Sequence, residues 1–527
     1  MKGGTLMIVK LPQNFLDVIS SNNGLTLYLD NLTSGKQATP RSWLYEQVAP
    51  NQILKNWLDR LSILEDGDTF ERNVFQFDTS QLEKWGPQGE VPPMSDILES
   101  IVMPSFSDSS SEFKAFATRE WRNSRTAVAN QLRVDGIRVL RPASYQHVID
   151  DMRARDTLES NSGWPLFTRR NKPEVKKQAI VAAETGEWLE YPAIALFRNY
   201  NRKTRLVWMY PMATNLVEGS FFQPLQSAIM QKNYDFFAPW QGFEAVRALI
   251  TRTYDSGKFI AATDFSATDE HFRLSTSIQV FEAIKRCFQK QYDARLLQSI
   301  QRMHTIPLII GPSEMVTGEH GVSSGSNWTN FIETIFDWIF SDYVRTLHHK
   351  YRGLYAIGDD MAWVSDNYDA DFAEFAEICG VEVGQQVKAE KTTNDPDKVK
   401  TLQRLFQRGY RRPDGQLRGV YSTVRALKSS VYPERFHSAK QWSSDMFCAR
   451  QYMILENCVD HPLFKEFVEF VVRGQKDLIP FAKKSSASLR QITRKSKLVP
   501  GLNQTYNQEK RDSSLENFES IAIARTL

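Results

Sequence analysis

Two short apolar runs, 354–357 and 361–364, flank Gly358-Asp359-Asp360. This pattern predicts a β-hairpin whose tight turn pushes both carboxylates away from the buried faces. Upstream, the apolar run 259–262 leads into Thr263-Asp264, with a second acid, Asp269, five positions later. It predicts another strand that delivers a carboxylate at its end. Between the two lies a run of small residues, 318–326, which gives way to the amphipathic stretch 331–340, predicting a flexible loop that enters a helix. Phe372, Phe375, Ala376 and Cys379 share one helical face that ends at Gly380. Near the start, Phe15, Val18 and Ile19, then Trp43, Leu44, Ile53, Leu54, Trp57 and Leu58, fall at helical spacings. Beyond about residue 401 the pattern turns helical, with Trp442, Phe447, Tyr452, Leu455, Phe464, Phe467 and Phe470 as candidate core.

With 527 residues the chain exceeds what one core usually serves, so several subdomains are expected. The 65 basic and 62 acidic residues nearly balance, which makes any nucleic-acid track a local feature. Cys287, Cys379, Cys448 and Cys458 have no zinc-like spacing; they read as packing residues in a reducing compartment. His304, His320, His348 and His349 lack metal-ligand spacing and read as surface or capping residues. No apolar stretch approaches the roughly 18 residues that span a bilayer, and run 5–9 is too short for a signal peptide. A cytosolic or particle-enclosed protein without membrane contact is expected.

If the strands ending at Asp264 and beginning after Asp359 are neighbours, the two carboxylates could bridge a pair of divalent cations roughly 3.5–4 Å apart, with Asp360 in support. Taken singly, each acid also reads as a solvated turn residue. The loop before the helix offers Ser324, Gly325, Thr329 and Asn330 as hydroxyl, close-approach and amide groups, or as a plain capped loop. Arg198, Arg202, Lys203 and Arg205 form one basic cluster, readable as a solvated strand with Arg202 and Thr204 on one face and Lys203 and Arg205 on the other. Arg169, Arg170, Lys172, Lys176 and Lys177 form another.

In their order, Asp-x4-Asp at 264–269, Ser-Gly-x4-Asn at 324–330 and Gly-Asp-Asp at 358–360 resemble motifs A, B and C of viral RNA-dependent RNA polymerases. Ser162-Gly163-Trp164-Pro165 is similar to the template-guiding motif G, 198–205 to the basic motif F, 388–392 to motif D and 405–410 to motif E, the grip on the primer end. The details look most like picobirnaviruses, and next partitiviruses. The resemblance implies an α+β fold: a closed right hand of fingers, palm and thumb, with a ferredoxin-like or RRM-like palm sheet and a largely helical thumb. Residues 1–60 would bridge fingers and thumb. Fingers would occupy 61–210 with 271–310, palm 211–270 and 311–400, thumb 401–500, and a C-terminal tail 501–527.

It further implies two Mg2+ or Mn2+ ions on Asp264, Asp359 and Asp360, and ribose recognition by Asp269 and Asn330. Ser324, Gly325 and Thr329 would complete the nucleotide site, with Arg198, Lys203 and Arg205 on the triphosphate. Ser162, Gly163, Pro165, Arg169, Arg170 and Arg408 would contact template and primer RNA. Lys391, with Lys388 as the alternative, would protonate pyrophosphate. Ribonucleoside triphosphates, template and nascent RNA would be the partners, with a viral capsid protein as a further one, inside the virion and in host cytoplasm. The six basic residues between 481 and 500 could follow exiting duplex RNA or bind the capsid interior. Residues 501–507 suit a fold-back into the channel, or a disordered tail. Two rivals remain at this stage: a metal-dependent RNA nuclease, and a nonenzymatic RNA-packaging protein that uses only the basic segments.

Overall fold

The computed structural model describes residues 7–106, 113–348, 350–502 and 513–527. At its centre the three predicted strands form and a fourth joins them: Thr393–Asn394, Phe259–Ser266, Asp360–Ser365 and Tyr351–Ile357 lie side by side, each antiparallel to the next. Side chains alternate across this sheet as the two-residue period demands. Ala261, Phe265, Met361 and Trp363 face the long helix Trp328–His348 through Ile332, Ile335, Phe336 and Phe340. Ile260, Ala262, Ala362 and Val364 face the helix Phe243–Asp255 through Val246, Leu249 and Ile250. With both faces covered, the acid-bearing turn at the sheet's end is held by two packed layers.

A second sheet runs in the order Met7–Lys10, Glu314–Thr317, Leu308–Ile309, Ala193–Tyr200, Lys203–Met209. Its edge strand comes from the chain's start, with Met7 opposite Thr317. The N-terminal helices divide between two cores. Phe15, Ile19, Leu25 and Leu29 pack with Trp164, Ile194 and Trp208, whereas Leu44, Ile53, Trp57, Phe70 and Phe77 pack with Phe447, Tyr452, Phe467 and Phe470. The segment therefore ties the two cores together. Asp78 fastens the second: buried, it accepts from the hydroxyls of Ser422 and Thr423, the Val424 N–H and His461 Nε2.

Three expectations are corrected. The chain does not turn helical at 401: Lys398–Thr401, Arg404–Gln407 and Val420–Tyr421 form a third sheet, joined by a turn at Leu402-Gln403 with both residues left-handed, and helices start at Thr423–Val431. Nor are residues 513–527 a loose tail. Leu515, Phe518, Ile521 and Ala524 are buried in the C-terminal core, and Glu456 accepts the N–H groups of Glu519 and Ser520 at 2.9 and 3.0 Å. The suggested fold-back around Asn503, Gln504, Thr505, Tyr506 and Asn507 lies outside the described residues. Finally, His304 and His320 are not at the surface. Both are fully buried, and His320 stacks on Trp208, so two apolar-flanked rings serve the core instead. All four cysteines are buried. No described helix is long and apolar enough to cross a membrane.

Candidate active site

Asp264 stands directly opposite Asp360 in the strand pairing, and Ile357 opposite Asp360 closes a two-residue turn at Gly358-Asp359. Gly358 takes φ +57°, a region where a side chain is strained. Its N–H donates to Thr334 Oγ1 at 2.9 Å, while the Asp359 carbonyl accepts the Phe265 N–H at 3.3 Å. Oxygens of Asp264, Asp359 and Asp360 all lie within 4.8 Å of one another. Burial, then Asp359, pushes Asp264 up to about 6; burial and both neighbours raise Asp360 well above the usual carboxylate range. Three crowded carboxylates that resist ionising together, with oxygen-only chemistry, fit hard divalent cations.

Asp269 joins them from a short turn of helix, Thr268–His271, entered through Ala267 in the left-handed region. Burial and Asp359 push it up to about 6, and Arg205 opposes. Lys203 and Arg205 both act on Asp264, and Arg205 also on Asp359, so these two cations overlook the acids. The basic run is not a single alternating strand. It is a hairpin, Ala193–Tyr200 and Lys203–Met209, whose turn is Asn201-Arg202, both left-handed. That turn takes Arg202 away from either face.

Arg198 has a different partner from the one expected. Its guanidinium forks onto Glu434, with both contacts at 2.7 Å, clasping the N-terminal sheet to the C-terminal core. Arg408 donates to the carbonyls of Tyr254, Lys258 and Pro396 at 2.8–3.0 Å and lies over the Tyr254 and Phe259 rings, which holds the end of the strand Arg404–Gln407 against the helix Phe243–Asp255 and the start of the strand Phe259–Ser266. The other end of the same hairpin, Leu402-Gln403, instead lines a cleft of about 150 Å³ with Asp264, Asp360 and Lys391. Lys388 is absent from that lining.

In the loop before the long helix, Ser324 Oγ accepts the Trp208 N–H at 3.3 Å. A Cβ on Gly325 would fall 1.7 Å from the Trp208 carbonyl oxygen, so only glycine permits this approach. Thr329 spends its proton on the Ser323 carbonyl at 2.5 Å. Asn330 Oδ1 accepts from the Trp240 indole at 3.3 Å. Ser162 is buried and exchanges backbone bonds with Thr168 and Met212, Gly163 takes φ +65°, and the Trp164–Pro165 bond is cis. Ser162, Gly163 and Pro165 thus shape a loop, whereas Arg169 and Arg170 line a cavity of about 1030 Å³ with Lys36, Arg198, Trp208 and Lys497.

Several groups escaped sequence reasoning. Glu333 and Asp337, one helical turn apart, are buried behind the acids, and burial followed by acidic neighbours (Asp359 for Glu333, Glu333 for Asp337) raises both well above the usual range. Their signal was two acids one turn apart within the largely apolar run 331–340. Glu218, within the helix Met212–Met230, accepts the Asn327 N–H and an Asn215 amide proton, each at 3.0 Å, and the Ser326 hydroxyl. Burial pushes it up to about 7.

Residues 200–428 match the family described as viral RNA-dependent RNA polymerase. Over that stretch the chain resembles this family. The polymerase is 27% identical over 486 residues, 86% of each chain, to a potential RNA-dependent RNA polymerase of human picobirnavirus (strain Human/Thailand/Hy005102/-). Its fold is similar to the crystal structure of the RNA-dependent RNA polymerase of a human picobirnavirus, at 22% identity and TM-score 0.82, over 98% of this chain and 100% of that one. An insertion loop deletion mutant of such an enzyme matches over the same shares at 22% identity and TM-score 0.80. The α+β right hand expected from the motifs is thus the fold, and the activity is that of an RNA-directed RNA polymerase.

Proposed function

We propose that the polymerase copies RNA by template-directed, two-metal nucleotidyl transfer, starting without a primer, to replicate and transcribe a double-stranded RNA genome. The observation that carries this reading is the meeting of Asp264, Asp359 and Asp360 beneath Lys203 and Arg205. A nuclease would have no use for cations poised over the acids or for sugar-reading groups. A packaging protein would have no use for a buried carboxylate cluster.

Asp264, Asp359 and Asp360 would hold the ions. When bound, two divalent cations supply Lewis acidity that eases ionisation of the 3′-hydroxyl and offsets charge on the leaving group. The 3′-oxygen forms its bond to the α-phosphorus of a ribonucleoside triphosphate as the α–β bridging bond breaks and pyrophosphate leaves. Lys391, at the rim of the cleft beside Asp264, donates the proton that pyrophosphate takes. Lys203 and Arg205 hold the triphosphate, and Asp269 and Asn330 read the ribose. Ser324 and Gly325 form the floor of the nucleotide site where they meet the fingers. Arg169 and Arg170 line the template entrance, and the Leu402-Gln403 turn supports the growing end. Residues 7–34 belong with fingers and 43–85 with thumb, so the bridging extension runs on past residue 60. The capsid protein is the partner in the virion, with host cytoplasm as the other location.

Primer-free extension on single- and double-stranded RNA tests the reading, comparing wild type with Asp264→Asn. We expect full-length product from wild type and a loss on the order of 10³-fold or more in the variant. Because Asp264 has its pKa raised, its ionised form burdens the folded state at neutral pH; Asp264→Asn should therefore melt higher than wild type in EDTA and gain less from added Mg2+. Shortened template without new strands would replace this reading by the nuclease.

A further inference from the structure

Trp240 lies in the short helix Ala238–Gln241, far in sequence from the nucleotide-site loop. Its ring is held between two others, Phe237 at 4.6 Å and 21°, and Phe331 at 5.6 Å and 12°. Stacking on both neighbours leaves the indole little freedom, so the direction of its N–H is set by packing. That N–H donates to Asn330 Oδ1 at 3.3 Å.

An indole nitrogen only donates, so the atom of Asn330 that faces it must be the carbonyl oxygen, and the amide nitrogen is turned the other way. It turns toward the catalytic hairpin: a Cβ on Gly358 would lie 3.1 Å from Asn330 Nδ2. The main chain is tied to the same turn. The Thr334 hydroxyl donates to the Asn330 carbonyl at 2.6 Å and accepts the Gly358 N–H at 2.9 Å. Trp240 thus touches both the Asn330 side chain and the ring of the next residue, Phe331.

We propose that Trp240 is a specificity-determining positioning residue, which locks the Asn330 amide in the orientation that presents its NH2 to the ribose of the incoming ribonucleoside triphosphate. The inference rests on Asn330 being a sugar-reading group. A primary amide has two nearly isosteric ends, and a 2′-hydroxyl can both donate and accept. Unlocked, Asn330 would offer oxygen or nitrogen in turn and select ribose over deoxyribose less sharply. Locked, it offers one fixed donor, and a deoxyribonucleotide leaves that donor without its partner.

Trp240→Phe keeps an aromatic ring in the stack and removes the N–H. Steady-state kcat/KM would be measured for ATP and dATP on the same RNA template, in wild type, Trp240→Phe, Asn330→Ala and the double variant, with circular dichroism as the check on folding. We expect the ribose-to-deoxyribose ratio to fall about fivefold in Trp240→Phe, the order of one hydrogen bond, mainly through KM for ATP. Asn330→Ala should lower it at least as far, and the double variant no further. An unchanged ratio in Trp240→Phe beside a lowered one in Asn330→Ala overturns the positioning role and leaves the sugar-reading role intact. Unchanged ratios in both overturn the two together. A loss of kcat that is equal for both sugars marks Trp240 as packing alone and also overturns the inference. If Trp240→Phe is unfolded, Trp240→Leu, which also lacks a donor, takes its place with the same expectations.

Discussion

A carboxylate in this polymerase acts according to what surrounds it, and Glu218 shows the effect away from the catalytic acids. It is fully buried, yet it accepts three hydrogen bonds from the loop and from Asn215. Its folded pKa of about 7 compares with about 4.3 for an exposed glutamate. Between these values the folded chain binds the extra proton, so Glu218 subtracts stability as pH rises from about 4.3 to 7. Glu218→Gln removes the titration while keeping an acceptor. Its unfolding midpoint relative to wild type should rise between pH 5 and pH 8, by the equivalent of about 2 kcal/mol; a difference that does not vary with pH would reject the account. Legibility at this scale followed sequence distance. Asp264, Asp359 and Asp360 could be read because Asp359 and Asp360 sit at a glycine turn between apolar runs and Asp264 follows an apolar run near the end of its strand. Trp240 and Glu218 could not, since each is defined by a partner about 90 to 110 residues away.

At the scale of elements, the hairpin 351–365 and the strand 259–266 were legible because apolar runs and a glycine turn are local signals. The basic hairpin was misread as one strand because its turn, Asn201-Arg202, contains no glycine; asparagine tolerates the left-handed region, and Arg202 is carried there by the pairing on both sides. The loop before the helix Trp328–His348 is the element whose shape depends most on one residue. Gly325 sits where a methyl group would collide with the Trp208 carbonyl at 1.7 Å, and both sides of that contact are backbone, so neither can rotate away. Gly325→Ala should therefore lift the loop off the strand Lys203–Met209 and disturb Ser324 with it. We expect kcat/KM for nucleotide addition to fall by about 10²-fold or more, with the thermal midpoint shifting by only a few degrees, because the strand and the helix Trp328–His348 keep their own cores. Activity near wild type would show that the close approach is dispensable.

For the whole molecule, closure depends on chain ends that the sequence pattern did not expose. The first strand completes a sheet in which its partner strand lies 304 to 310 residues away, and the last helix, Glu519–Arg525, packs into the C-terminal core. The latter was hard to read because its apolar positions, Leu515, Phe518, Ile521 and Ala524, repeat every three residues over barely two turns, too short a run to stand out. Their burial has a consequence for experiments on this end of the chain. Ending the protein after residue 500 would remove these four side chains from the core and leave Glu456 without the N–H groups of Glu519 and Ser520 and the Ser520 hydroxyl. Burying a large apolar side chain is worth about 1.5–3 kcal/mol, and a buried carboxylate that loses hydrogen-bond donors costs more again. The truncated chain should unfold at a markedly lower urea concentration, with a loss on the order of 5 kcal/mol or more, and any fall in polymerase activity would follow the unfolding of the thumb. Removing only residues 526–527, beyond the helix, should leave the midpoint within about 0.5 kcal/mol of wild type. If the chain ending at 500 unfolds like the full-length protein, the C-terminal helix contributes nothing to the thumb.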